Sequence, residues 1–193
     1  MTPYRRTAAA LLVLSALTFT ACGAENTSEQ TANETSSPSA ASLTPGDGAF
    51  IDSESVDRSD ADATAEAAAV LIHSWDTATD KTQTAGAVRA KPLMSQEWAD
   101  NQVEPQRNAA QGDWLVPSQH QAYSVASLTP APGDTTQDVA PDKAIRAYHA
   151  HWTWNARDGR ELKETGKQEI VLYLERHQGQ WSIVGHTTDP TVR

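Results

Sequence analysis

Two histidines, His149 and His151, stand in a stretch where apolar and polar residues alternate. Alternate residues of a β-strand share a face about 7 Å apart, a spacing that metal sites use. A metal site needs a third ligand, for which His120, His177 and His186 are the candidates, and no carboxylate stands at a diagnostic spacing. The pattern leaves two interpretations open, a metal-binding pair or two half-exposed strand histidines.

Aromatic residues form a second group that could contact a ligand. Tyr148, Trp152 and Trp154 share one face of the same predicted strand, and Trp75 and Trp181 come from other elements. The five side chains would either line a ligand pocket or pack a core, as aromatic residues on an inner strand face usually do. In a core, Trp152→Ala would lower stability by about 3–5 kcal/mol. In a pocket, it would remove ligand binding and leave stability unchanged.

Composition and motifs narrow the classes of function. The 193 residues suit one domain, and a formal net charge of −10 argues against binding to nucleic acid or attraction to anionic lipid headgroups. The sequence contains no Gly-x-Ser-x-Gly, P-loop, dinucleotide fingerprint or zinc-protease helix. We predict no cofactor.

Cys22 is the only cysteine, so it cannot form an intramolecular disulfide. It follows an apolar run at residues 8–19, preceded by Arg5 and Arg6, which is the pattern of a secretory signal peptide and too short for a comfortable membrane span. The segment Leu17-Thr18-Phe19-Thr20-Ala21-Cys22-Gly23 resembles the lipobox of bacterial lipoproteins, with Phe19 where that family usually has Leu. The alternative for a lone cysteine, a buried thiol, is disfavoured by the position of Cys22 just after the apolar run.

The lipobox resemblance implies that residues 1–21 are a signal peptide and that Cys22 carries acyl chains, palmitate among them. Two or more chains hold a protein stably on a membrane. Residues 22–60 are poor in large apolar side chains and, from Gly23 onward, carry eight acidic residues against Arg58 alone, which predicts an extended, disordered tether. As an alternative, Phe50 and Ile51 could begin a short strand or staple.

The predicted soluble domain, residues 61–193, opens with a helix. Capping residues at Ser59 to Asp62 precede apolar residues at helical spacing, Ala65, Ala68, Leu71, Ile72, Trp75 and Ala78. The opposite, solvent-facing side is predicted to carry Asp62, Glu66, His73, Asp76 and Asp80. Shorter helices are predicted at residues 84–91 and from Ser95.

Beyond the helices the apolar period becomes two, which predicts an antiparallel meander. Its strands are expected around Tyr123 to Leu128 and at Lys143 to Asn155, Gln168 to Arg176 and Trp181 to Thr187, with turns at Asp158-Gly159 and Gln178-Gly179. Helices followed by a meander indicate an α+β domain, in which the N-terminal helices pack on a curved antiparallel sheet.

The long helix, the short helices and the closing hairpin Leu172 to Val184 together resemble the cone-shaped nuclear transport factor two-like superfamily over residues 60–190. The layout is also similar to that of actinobacterial envelope accessory lipoproteins. Enzymes of the superfamily use Asp, His or Tyr inside the cone, and this resemblance implies Asp76, Tyr148 and His149 as the possible acid–base set. Carboxylates on a wet helix face are more often merely solvated.

We therefore predict a membrane-anchored lipoprotein at the extracytoplasmic face of the cell membrane. Its domain would be a non-enzymatic binding or assembly module for an envelope protein partner or a small ligand. The alternatives are a small-molecule enzyme of the cone-shaped superfamily and a metal-binding envelope protein using His149 and His151.

Overall fold

The computed structural model describes residues 50–107, 111–133 and 135–189. The predicted signal peptide, Cys22 and most of the predicted tether lie outside the described residues. The helices are α1 (Ala61–Ile72), α2 (Thr84–Arg89), α3 (Gln96–Asp100) and α4 (Gln111–Gln119). The strands are β1 (Trp75–Asp76), β2 (Tyr123–Ser124), β3 (Ser127–Pro130), β4 (Gln137–Ala140), β5 (Lys143–Asn155), β6 (Glu161–His177) and β7 (Gln180–Asp189).

The strands form a seven-stranded antiparallel sheet that curls into a half-barrel. The order β1-β2-β5-β6-β7 gives its main path, and β3 and β4 pair with the same edge of β5 as β2 does. The predicted α+β class, with helices packed on a curved antiparallel sheet, is confirmed.

Helix α1 starts where the sequence provides a cap. The Asp60 carboxylate accepts hydrogen bonds from the backbone N–H groups of Asp62 and Ala63, which satisfies donors that have no partner inside the helix. The helix packs on the sheet against β5, β6 and β7. Leu71, Ile170 and Leu172 are fully buried in the core between them.

Two details of the predicted first helix are wrong. The helix ends at Ile72, and Trp75 and Asp76, which fit the helical spacing, form a short strand paired with β2. His73 and Asp76, predicted on the solvent-facing side, are 1% and 2% exposed. Backbone pairing and burial override the local helical pattern here.

Residues 50–60 also contact the domain, on the N-terminal side of the predicted boundary at Asp60. Phe50, Ile51 and Val56 are partly buried and pack against the main core. Arg58 joins this segment to β7, because its Nε donates to the Trp181 carbonyl oxygen at 3.0 Å and its own carbonyl accepts from Trp181 N–H at 2.7 Å. Its guanidinium also donates to the Ser182 hydroxyl.

Candidate functional site

The five aromatic residues predicted as a pocket divide between two clusters. Trp75 and Trp152 contact edge to face with ring centroids 5.2 Å apart, and Trp154 stacks on Trp75 at 6.0 Å. Tyr148 and Trp181 belong instead to the main core around α1. The structure therefore does not bring all five to one cavity.

A cavity of about 900 Å³ is lined by Trp75 and Trp152 together with both polar and apolar side chains. Asp113, His151 and Lys167 also line it, so its charges are mixed in sign. Trp75 Nε1 already donates to the Gln83 carbonyl oxygen at 2.7 Å, which leaves that indole without a free donor for a ligand.

The two strand histidines lie on the face of β5 opposite to Tyr148, with ring centroids 6.5 Å apart. His149 Nε2 lies 3.2 Å from a Glu169 carboxylate oxygen on the adjacent strand. In the part of the chain that the structure describes, no group of three or more His, Cys, Asp or Glu side chains could hold a metal ion.

The other three histidines proposed as metal ligands have partners elsewhere. His120 pairs with Asp158 at 2.8 Å, and His177 lies 3.5 Å from Glu175. His186 Nδ1 accepts a hydrogen bond from the Trp98 indole N–H at 3.2 Å. In these contacts, none of the three histidines is paired with His149 or His151.

The possible acid–base set is also separated. Both oxygens of the buried Asp76 carboxylate accept from the Arg157 guanidinium, at 2.8 and 2.7 Å, and Ala78 N–H donates to the same carboxylate. Burial opposes ionisation of Asp76, but these hydrogen bonds and the charge of Arg157 outweigh it and lower its pKa. Tyr148 and His149 are adjacent on β5 and so project to opposite faces of the sheet.

A second cavity, also about 900 Å³, lies between α1, β3 and the segment that precedes α1. We call it the α1 groove. Most of its walls are apolar, formed by Phe50, Val56, Ala63, Val70, Leu128 and Tyr148. Concave, mainly apolar sites with a few polar groups are the usual form of small-molecule binding sites.

Tyr148 contributes a hydroxyl group to the lining of the α1 groove. Tyr148 is 6% exposed, and its hydroxyl has no hydrogen-bond partner among the described residues. Burial raises the pKa of this hydroxyl, and the charges of Glu66 and Asp62 raise it further, so the phenol keeps its proton at neutral pH. The hydroxyl is therefore able to exchange a hydrogen bond with a ligand that enters the groove.

Glu66 stands at the rim of the α1 groove, on the side of α1 predicted to face solvent. It forms no ion pair or hydrogen bond with another described residue. Partial burial raises the pKa of Glu66, and the neighbouring carboxylates of Asp62 and Asp60 add to that effect. Glu66 is thus a carboxylate without a counter-charge at the mouth of an apolar groove.

Of the α1 groove, sequence reasoning predicted only Tyr148 as a ligand-contacting residue. A signal for the helix wall was present, because Ala63, Ala67 and Val70 recur at helical spacing beside the core-facing stripe. No local pattern indicates that Phe50 and Val56, before the helix, form the opposite wall.

Comparison of the chain with protein-family models, with curated proteins and with solved structures gives no match. Among the residues that the structure describes, no helix is both long enough and apolar enough to cross a membrane.

Proposed function

We propose that this chain is a lipid-anchored protein of the extracytoplasmic membrane face whose α+β domain binds a small apolar ligand in the α1 groove. It acts as a binding module of the cell envelope and carries out no reaction on its ligand. We also propose that the domain belongs to the cone-shaped nuclear transport factor two-like superfamily, and the curled sheet around α1 supports this.

The observation that carries the binding role is the mainly apolar α1 groove, in whose wall the Tyr148 hydroxyl has no hydrogen-bond partner among the described residues. A ligand that supplies this hydrogen bond gains affinity from it, because a typical hydrogen bond contributes about 0.5–1.5 kcal/mol net. The separation of Asp76, Tyr148 and His149 supports binding without catalysis.

Ligand binding is tested with the full chain made by cell-free translation without membranes, which keeps lipid and detergent out of the α1 groove. We expect the neutral dye N-phenyl-1-naphthylamine to increase its fluorescence in the groove. Ala63→Trp should fill the groove and weaken binding at least about tenfold, a change of about 1.4 kcal/mol. Ala78→Trp is the control, because Ala78 is exposed and does not line the groove. Equal dye affinity in the two variants would refute the assignment.

The anchor is tested in cells by Cys22→Ser with radiolabelled palmitate. The proposal requires loss of the label, together with release into the soluble fraction or retention as uncleaved precursor. A native chain that keeps its starting methionine and carries no lipid in mass spectrometry would remove the membrane-anchored part of the proposal. The binding role would then be judged by the dye experiment alone.

A further inference from the structure

We propose that the ligand of the α1 groove is a cationic amphiphile, with its apolar chain along the groove and a primary ammonium group held by Glu66 and Tyr148. This inference rests on the proposed function and specifies the ligand class for the same site. It is argued from the charges of the residues that line the groove and from the hydrogen-bonding chemistry of Glu66 and Tyr148. Neither of these two side chains has a hydrogen-bond or ion-pair partner among the described residues.

The charged side chains that line the α1 groove are all acidic, Asp52, Asp57 and Glu66. Asp52 and Asp57 already accept hydrogen bonds within their own segment, from Glu54 N–H and from Ser59. Glu66 has no such bond among the described residues. A cation is the complementary charge at this rim, and an anion would be repelled.

Nearby arginines do not neutralise Glu66, because each has other partners. Arg146 pairs with Asp62 and Asp138, and Arg89 pairs with Asp80 at 2.7 Å. The Arg89 guanidinium also lies 3.6 Å from the centroid of the Phe50 ring. Neither arginine is among the residues that line the α1 groove.

The two groups without internal partners, Glu66 and Tyr148, can both accept hydrogen bonds from a ligand. A carboxylate only accepts, and a phenolic oxygen accepts as well as donates. A primary ammonium has three N–H donors and can satisfy both, whereas a quaternary ammonium has none. The groove should therefore favour a primary amine over a quaternary amine of equal chain length.

The test compares decylammonium, decanol, decanoate and decyltrimethylammonium, all below micelle-forming concentrations, by calorimetry on the cell-free full chain. Decylammonium should bind about tenfold or more tightly than decanol, and decanoate more weakly than decanol. Added salt should weaken decylammonium binding and leave decanol binding nearly unchanged. Decyltrimethylammonium should lose several-fold in affinity relative to decylammonium.

Matched variants assign the preference to the two residues. Glu66→Gln should bring decylammonium affinity down to that of decanol without changing decanol binding. Tyr148→Phe should weaken decylammonium binding several-fold. Glu97→Gln, on an exposed residue of α3 outside the groove, should retain the wild-type preference.

The outcomes separate this inference from the proposed function. If decanol and decylammonium bind the wild-type chain equally, or Glu66→Gln keeps the preference, the cationic ligand is ruled out and binding of an apolar ligand stands. If neither these compounds nor the dye binds, the proposed function fails and the ligand class fails with it.

Discussion

The indole of Trp152 on β5 lies directly over Gly166, its partner on β6. A Cβ atom added at Gly166 would come within 1.9 Å of Trp152 Cζ2 and 2.0 Å of Cε2. The absence of a side chain at this one position lets the indole lie flat against the neighbouring strand. There it also contacts Trp75 and His73.

Gly166→Ala should therefore destabilise the domain, because the indole must leave its packed position. We expect a loss of about 1–3 kcal/mol, the usual effect of overpacking, measured by denaturant unfolding. Gly185→Ala on β7 is the matched control, since its added Cβ would lie 3.6 Å from Tyr173 Cδ2, an ordinary contact. Similar losses in the two variants would argue against a special role for Gly166.

Gly86 in α2 allows a second close approach. A Cβ there would lie 2.5 Å from the Ile72 carbonyl oxygen and 2.7 Å from that of Leu71, both backbone atoms of α1. An exposed helical Gly→Ala change stabilises a protein by about 1 kcal/mol, but Gly86→Ala should destabilise it by about 1–3 kcal/mol. A rise in the unfolding midpoint would contradict this packing.

The Asp76–Arg157 pair should control stability in acid. The folded pKa of Asp76 is lowered, so stabilisation by the pair is complete above the unfolded pKa of about 3.9 and disappears as the pH falls through the folded value. Asp76→Asn should lower the free energy of unfolding by about 3–5 kcal/mol at neutral pH. It should also make that free energy depend less on pH in the acid range. Asp138→Asn removes an exposed partner of Arg146 and should lower the free energy of unfolding by less than Asp76→Asn does. An unchanged pH dependence in Asp76→Asn would exclude the pair as its cause.

His73 should produce a separate pH dependence. Burial lowers its pKa, against the opposing hydrogen bonds, so the folded chain resists protonation while the unfolded chain takes up a proton below about pH 6.5. Stability should fall as the pH drops through this range, with a slope of at most about 1.4 kcal/mol per pH unit for one group. His73→Gln should reduce the slope.

Asp76→Asn serves as the control for His73→Gln, because the Asp76 carboxylate stays ionised from neutral pH down to about pH 5. The proton on folded His73 can be placed from its contacts. Nδ1 lies 2.9 Å from the Ala69 carbonyl oxygen, which can only accept, so Nδ1 carries the proton. Nε2 lies 3.0 Å from Gln168 Oε1, so in the neutral ring Nε2 accepts a hydrogen bond only if the Gln168 amide is turned to present its NH2 group. If stability depends on pH as steeply in His73→Gln as in the wild type, His73 is not the cause of this pH dependence.

Local sequence signals predicted the elements that depend on local chemistry. The Gln178-Gly179 turn is one, since both residues take positive φ angles of 52° and 84° as the hairpin requires. The cap at Asp60 and the alternation along β5 are others. In each case neighbouring residues decide the conformation.

Features decided by distant contacts were not predictable in the same way. Helix α1 stops at Ile72 although Trp75 and Ala78 continue its spacing, because Trp75 pairs with Ser124 on β2. Helix α4 was not predicted, and it contains Pro117, a residue that is disfavoured in a helix interior. The walls of the α1 groove come from four parts of the chain, the segment before α1, α1 itself, residues 125–130 and Tyr148 on β5, and local patterns do not show that these parts meet.

The bonds between Arg58 and β7 have a mechanical consequence. Tension applied to the chain before residue 50 reaches the Phe50–Val56 segment first and the Arg58–Trp181 hydrogen bonds next, before it reaches α1. These bonds would bear the load and shield the helix. The Phe50–Val56 wall of the α1 groove precedes these hydrogen bonds along the chain and would therefore carry the tension. A pull on the N-terminal segment would thus deform the ligand site before it unfolded the core.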